Sequence, residues 1–132
     1  MKKILLIEDE PTLQKTVSEI LSQEGYKILK ALDGETGLSL AKSEKPDLIL
    51  LDLILPKKNG FEVLKGLNED PETADIKVMI LTNLEGSKDI EKALELGATS
   101  YLVKSNYNLE DVVAKIKSLL QEDESEGQSP IG

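Results

Sequence analysis

Five short strand-like runs recur along this chain, and a stretch with helical character follows each of them. The runs are Ile4–Ile7, Tyr26–Ala31, Leu48–Leu51, Ile76–Leu81 and Thr99–Val103. Apolar runs of this length are typical of strands that are buried on both faces of a parallel sheet. Their regular alternation with helices predicts an α/β fold, a doubly wound five-stranded parallel sheet with five helices.

Two of the predicted helices carry clear signals at their starts. Ser87 is the expected N-cap of the fourth helix, whose Ile90, Ala93 and Leu94 should face the core. Asn108 and Asp111 have the spacing of an N-cap and the third helical residue, so they predict the start of the fifth helix.

A chain of 132 residues has room for one domain with a core of ordinary size. We predict that this domain covers residues 1–121. The segment after Leu120 is acidic and polar, so residues 122–132 are expected to form a disordered tail.

The composition excludes several classes of function. Sixteen basic residues against 25 acidic ones give a net charge of −9, which opposes direct binding to nucleic acid or to anionic lipid. The chain has no cysteine and no histidine, so thiolate metal sites, cysteine nucleophiles and histidine general bases are absent. Carboxylates, hydroxyls and lysines must carry any chemistry.

The N-terminal apolar run is too short for a signal peptide. Only four apolar residues stand between Lys3 and Glu8, and no run approaches the roughly 18 residues of a membrane span. We therefore expect a cytoplasmic protein that does not contact membranes.

Acidic residues follow two of the apolar runs. Glu8 and Asp9 come directly after the first run, and Asp52 comes directly after the third. Open parallel sheets place their ligand crevice at the carboxyl ends of the strands. If these strands are neighbours, three carboxylates meet in one crevice, and so much negative charge is hard to hold together without a bound cation. Either cluster alone could instead belong to a turn or a helix cap.

Two more of the strand-like runs are followed by reactive side chains. Thr82 follows the fourth run and Lys104 follows the fifth. If the second strand lies at the edge, in the order 2-1-3-4-5, the ends of the other four strands lie side by side. This set of groups suits in-line phosphoryl transfer onto the Asp52 carboxylate, because a metal, an ammonium group and a hydroxyl can each stabilise the negative charge on the phosphoryl oxygens.

The acidic residues predict a Mg²⁺ site, for which Mn²⁺ can substitute. Asp9 and Asp52 can bind the ion directly, the backbone carbonyl of Ile54 can supply a third oxygen, and Glu8 can act through water.

From Lys2 to about Leu120 the chain resembles the receiver domain of two-component response regulators, similar to the single-domain CheY-like receivers of chemotaxis and sporulation relays. The matching positions are Glu8-Asp9, Asp52 in the run that ends at Pro56, Asn59-Gly60-Phe61-Glu62, Thr82, Gly97-Ala98, and Tyr101 three residues before Lys104. This resemblance implies a flavodoxin-like, three-layer sandwich.

The resemblance also implies a function in signalling. A histidine kinase or histidine phosphotransfer protein would donate a phosphoryl group to Asp52. Thr82 and Tyr101 would then move as switch residues and remodel the surface of the fourth helix, fifth strand and fifth helix, which binds a downstream protein. Such a domain catalyses only its own phosphorylation and dephosphorylation, and we expect a monomer or a weak dimer that forms on phosphorylation.

Three residues depart from the family pattern. Glu8 stands where a second aspartate is more frequent, which lengthens one arm of the acidic pair. Asn83 follows Thr82 where small residues are usual, so we predict that it modulates the lifetime of the phosphoryl group. Ser105 replaces the usual proline after Lys104, and because a cis bond to a residue other than proline costs about 2.5–4 kcal/mol, we predict a trans bond there.

Two other functions remain open. One is a degenerate receiver that acts only as a binding scaffold. The other is a phosphatase with an aspartyl-phosphate intermediate, but such enzymes carry a second aspartate two residues after the nucleophile, where this chain has Ile54.

Overall fold

A computed structural model describes residues 2–83, 86–104 and 108–128 of the chain. Its strands are β1 (Lys3–Ile7), β2 (Lys27–Ala31), β3 (Leu48–Leu51), β4 (Lys77–Thr82) and β5 (Ser100–Val103). Its helices are α1 (Pro11–Gln23), α2 (Gly34–Glu44), α3 (Gly60–Glu69), α4 (Ser87–Glu95) and α5 (Leu109–Gln128).

The five strands form one parallel sheet in the order β2-β1-β3-β4-β5, which confirms the predicted fold and strand order. Ile7, the last residue of β1, is in register with Ala31 of β2 and Leu51 of β3. At the β5 end of the strand order, Thr82 of β4 is in register with Val103 of β5. The carboxyl ends of all the strands therefore lie along one edge.

The core has two halves, one on each face of the sheet. Val17 of α1 and Ile116 of α5 are buried against one face, and Ala41 of α2, Val63 of α3 and Ala93 of α4 are buried against the other. All four residues of β3 are completely buried, as expected for a central strand with helices on both sides.

The start and inner face of α4 differ from the prediction. The N-cap is Gly86 rather than Ser87, and the Gly86 carbonyl accepts hydrogen bonds from the N–H groups of Asp89 and Ile90. Ala93 is completely buried, as predicted, whereas Leu94 is 47% exposed. Successive residues of a helix point about 100° apart, so a narrow contact centred on Ala93 leaves Leu94 in solvent.

Helix α5 begins as predicted but extends further. The Asp111 N–H donates to the Asn108 side chain at 2.9 Å, and the Asn108 N–H donates to the Asp111 carboxylate at 3.3 Å. The helix continues to Gln128, whereas the sequence predicted a disordered tail from residue 122. Glutamine and glutamate favour helix, and no proline occurs between residues 109 and 129, so a helix packed through residue 120 can continue. Residues 129–132 lie outside the described part.

None of the helices in the described ranges is both long and apolar enough to cross a bilayer.

Candidate functional site

The carboxylates that end β1 and β3 lie together at one edge of the sheet. Glu8, Asp9 and Asp52 each offer an oxygen within 4.8 Å of the others. The backbone places them, because the Glu8 N–H donates to the Ala31 carbonyl at 3.1 Å and the Asp52 N–H donates to the Ile7 carbonyl at 3.1 Å. These two bonds extend the sheet ladder by one residue on each side of β1.

The three carboxylates differ in burial. Glu8 is 3% exposed and Asp52 is 6% exposed, whereas Asp9 is an exposed residue. Negative charges this close repel one another unless a cation offsets them. Carboxylate oxygens are the ligands that a hard divalent cation such as Mg²⁺ prefers, so the chemistry of these side chains fits that ion.

Lys104, at the end of β5, joins the two buried carboxylates. Its Nζ lies 2.8 Å from Glu8 Oε1 and 2.9 Å from Asp52 Oδ2. The other oxygen of each carboxylate accepts a backbone N–H, from Glu10 to Glu8 Oε2 at 3.1 Å and from Ile54 to Asp52 Oδ1 at 3.1 Å. Each oxygen of the two buried carboxylates therefore has a hydrogen-bond donor.

Burial and the ion pairs shift the pKa values of two of these groups, Glu8 and Lys104. Burial raises the pKa of Glu8, although the hydrogen bond from Lys104 acts in the opposite direction. Burial by itself would lower the pKa of Lys104, but its hydrogen bonds to Glu8 and Asp52 outweigh that effect and raise the pKa. Lys104 is therefore a charged ammonium group at neutral pH.

Thr82 is completely buried at the end of β4, and its Oγ1 has no hydrogen-bond partner in the described part of the chain. Leaving a buried hydroxyl unpaired costs about 1–3 kcal/mol. The strand that carries Thr82 lies between β3, which leads to Asp52, and β5, which leads to Lys104. An unpaired hydroxyl in this position can donate to a polar ligand that enters the site.

The chain that leaves Asp52 returns to it at the start of α3. The Gly60 N–H donates to the Leu53 carbonyl at 3.0 Å. A Cβ atom on Gly60 would lie 2.5 Å from Leu53 Cα and 2.6 Å from the Asp52 carbonyl oxygen, so only glycine fits without displacing the backbone. Asn59 and Glu62 cap the helix reciprocally, each accepting the other's backbone N–H at 3.0 Å.

The structure also describes three other predicted residues. Tyr101 is half-buried on β5, in register with Ile80. Asn83 is exposed and directly follows Thr82. The side chain of Ile54 is 55% exposed, and the role of its carbonyl as a metal ligand stays a prediction.

The predicted trans bond between Lys104 and Ser105 lies outside the described residues.

Sequence analysis missed Gln14, which lies on the buried face of α1. Its Nε2 donates to the carbonyls of Glu8 at 3.2 Å and Ala31 at 2.9 Å. The buried residues of α1 are Gln14, Val17, Ser18 and Leu21. Their helical spacing could have identified a polar residue on the inner face, five positions after Asp9.

The family model of the response regulator receiver domain matches residues 4–117. The DNA-binding dual master transcriptional regulator RpaA of Synechocystis sp. is 41% identical over 121 residues, which cover 92% of this chain and 50% of that protein. Protein PilH of Pseudomonas aeruginosa is 38% identical over 104 residues, 79% of this chain and 86% of that protein. This chain spans about half the length of several curated relatives.

The fold has close counterparts among solved structures. The CheY-like response regulator receiver domain protein from Methanospirillum hungatei is 30% identical and superimposes with a TM-score of 0.86 over 96% of this chain and 98% of that one. CheY4 of Vibrio cholerae gives a TM-score of 0.84 at 28% identity, over 91% of this chain and 99% of that one. Because the family model matches residues 4–117 of the 132, the chain belongs to the response regulator receiver domain family.

Proposed function

We propose that this domain accepts a phosphoryl group on Asp52 in a reaction that depends on Mg²⁺. The donor is a phosphohistidine on a histidine kinase or a histidine phosphotransfer protein. The observation that carries this proposal is the convergence of three carboxylates within 4.8 Å, with Lys104 bound to Asp52. Membership of the receiver family supports it.

The chemistry follows from the groups at the strand ends. A carboxylate oxygen of Asp52 attacks the phosphorus atom, the bond from phosphorus to the imidazole nitrogen breaks, and the imidazole leaves with the electron pair. The product is an acyl phosphate. The Lys104 ammonium and the Thr82 hydroxyl stabilise negative charge on the phosphoryl oxygens as the bonds change.

The acidic residues have different roles in binding Mg²⁺. Asp9 and Asp52 bind it directly together with the Ile54 carbonyl, and Mn²⁺ can replace it. Glu8, which has the longer side chain, acts through water. When bound, the ion offsets the charge of the carboxylates and the phosphoryl oxygens.

The response passes through a protein-binding surface. Thr82 and Tyr101 lie on the adjacent strands β4 and β5, two residues apart in register, so a change at one strand end can reach the other. We propose that both move on phosphorylation and change the surface of α4, β5 and α5 that a downstream protein binds. The domain then catalyses only its own phosphorylation and dephosphorylation.

Intact mass spectrometry tests the phosphoacceptor. The chain is incubated with acetyl phosphate and Mg²⁺, and one phosphoryl adduct is expected. Asp52→Asn should abolish the adduct, and EDTA should suppress it in the unaltered chain. Asp75→Asn is the matched control, because Asp75 is exposed and lies in the turn before β4.

The other outcomes point to different functions. An Asp52→Asn chain that is labelled as fully as the unaltered one has another acceptor, which contradicts the assignment. Turnover of phosphomonoesters indicates a phosphatase. A folded chain that forms no adduct is a binding scaffold.

A further inference from the structure

We propose that Gln14 is a positioning residue for the acidic pair Glu8 and Asp9, and that it sets their geometry for Mg²⁺. This inference rests on the proposed function of the site. Gln14 does not touch the predicted ligand oxygens. It acts through the backbone from which the two carboxylates project.

The side chain of Gln14 is fixed by its surroundings. The residue is 8% exposed on the inner face of α1, and its Nε2 donates to the Glu8 carbonyl at 3.2 Å and to the Ala31 carbonyl at 2.9 Å. A primary amide has two N–H donors, and both are used here. The opposite orientation would place its oxygen against two carbonyl oxygens, so this arrangement of the amide is strongly favoured.

The hydrogen bond from Gln14 to the Glu8 carbonyl affects the backbone of both Glu8 and Asp9 because of where that carbonyl lies in the chain. That carbonyl belongs to the peptide group that joins Glu8 to Asp9, and a peptide group is planar. Holding its oxygen therefore restricts the backbone rotation at both residues. One hydrogen bond from α1 thus sets the direction in which two predicted metal ligands leave the main chain.

Asp9 depends on this restraint more than Glu8 does. The Glu8 carboxylate is buried and is held by Lys104 and by the Glu10 N–H. Asp9 is exposed, so packing restricts it little. Its reach toward the metal is set mainly by the peptide plane that Gln14 holds.

The second carbonyl, that of Ala31, links Gln14 to the sheet. The Ala31 oxygen accepts the Glu8 N–H at 3.1 Å as well as the Gln14 amide, so α1, β1 and β2 meet at one atom. If the role of Gln14 were merely structural, its hydrogen bonds would only hold α1 against the sheet. Such a role affects the free energy of unfolding but not the affinity for Mg²⁺.

The test is the affinity of Gln14→Met for Mg²⁺, because methionine keeps the length of the side chain but removes both donors. Mg²⁺ is titrated into the metal-free protein, and the backbone amide resonances of residues 8–10 and 52 are followed by NMR. Loss of such a supporting hydrogen bond typically weakens metal binding 10–100-fold, and we expect about tenfold here. Gln23→Met is the matched control, because Gln23 is exposed at the end of the same helix.

A second readout needs no metal. The Asp9 amide belongs to the peptide that Gln14 holds, so its resonance should shift in metal-free Gln14→Met and stay unchanged in Gln23→Met. If Gln14→Met does not fold, the test is made on the unaltered chain instead, by following the side-chain amide resonances of Gln14 during the Mg²⁺ titration. They should move with the same Mg²⁺ dependence as the Asp9 amide.

The possible outcomes separate this inference from the proposed function. Equal Mg²⁺ affinities of Gln14→Met and the unaltered chain would overturn the inference. It would also be overturned if the Gln14 side-chain amide resonances of the unaltered chain did not shift at saturating Mg²⁺. If Gln14→Met binds Mg²⁺ more weakly but the unaltered chain is not phosphorylated on Asp52, the positioning role is supported and the proposed function is contradicted. An unaltered chain that does not bind Mg²⁺ overturns both.

Discussion

The Nζ of Lys104 lies 2.9 Å from Oδ2 of Asp52, although the two residues are 52 positions apart in the sequence. They end strands that flank β4 on opposite sides, and the same ammonium also binds Glu8 at 2.8 Å. In the described structure, the proposed nucleophile is therefore held by a cation that is shared with a second carboxylate.

Lys104→Met should destabilise the metal-free protein, because it leaves Glu8 and Asp52 without their cation. Removing one partner of a buried ion pair costs about 3 kcal/mol or more, so we expect a loss of about 3 kcal/mol in the free energy of unfolding. Mg²⁺ should restore part of this loss by supplying another positive charge. Urea denaturation in EDTA and in Mg²⁺ measures both effects.

Lys115→Met on α5 is the control for this prediction, because Lys115 is exposed and its substitution should change little. Equal stabilities of Lys104→Met and the unaltered chain in EDTA would show that the ion pair contributes nothing to folding.

Gly60→Ala should disturb the backbone that carries Asp52. The new Cβ would collide with Leu53 and with the Asp52 carbonyl, and overpacking of this kind costs about 1–3 kcal/mol. We expect a lower free energy of unfolding and slower phosphorylation by acetyl phosphate. In Gly86→Ala, at the start of α4, the nearest contact is the flexible Asp89 side chain at 3.3 Å, so the same substitution should cost much less. Equal effects of the two would contradict the steric argument.

Asn83→Ala should shorten the half-life of the aspartyl phosphate several-fold without blocking phosphorylation. Hydrolysis needs a water in line with the bond between Asp52 and phosphorus, and we expect the exposed amide of Asn83, directly after Thr82, to crowd that approach. Decay of the adduct in intact mass spectra measures the rate, with Asn68→Ala on α3 as the control. An unchanged or longer half-life would show that Asn83 does not shield the site, and a longer one would indicate that its amide positions the attacking water.

Asp33 should make the stability of α2 depend on pH. It caps the helix by accepting the Thr36 N–H at 2.8 Å, and this hydrogen bond lowers its pKa below the ordinary value of 3.8. A carboxyl with a lowered pKa contributes stability above its unfolded-state pKa, and that contribution disappears as the pH falls through the folded-state pKa. Asp33→Ala should therefore lower the melting temperature at pH 7, and the difference from the unaltered chain should narrow below pH 3.8.

Thermal unfolding across this pH range checks the prediction, and Asp75→Ala, in a turn, is the control. A difference that is the same at pH 7 and at low pH would mean that the charge of Asp33 plays no part in the cap.

The sequence by itself determined the sheet and the residues at its functional edge. The strand Leu48–Leu51 is apolar at every position, and such a run is typical of a strand that helices cover on both faces. The side chain that follows each buried strand then lies at the ligand edge, which is why the sequence alone predicts Asp52, Thr82 and Lys104 as site residues. These inferences need only local patterns, because strand periodicity and strand ends are local properties of the chain.

Only the tertiary structure decided which of these side chains touch and which other residues support them. The shared contact of Lys104 with Glu8 and Asp52 depends on the spacing of three strand ends, and the hydrogen bonds of Gln14 depend on how α1 packs on β1 and β2. The exposure of Leu94 likewise follows from a narrow contact around Ala93. The physical reason is that sequence periodicity shows which face of an element is apolar, whereas distances between elements arise from packing among residues far apart in the chain.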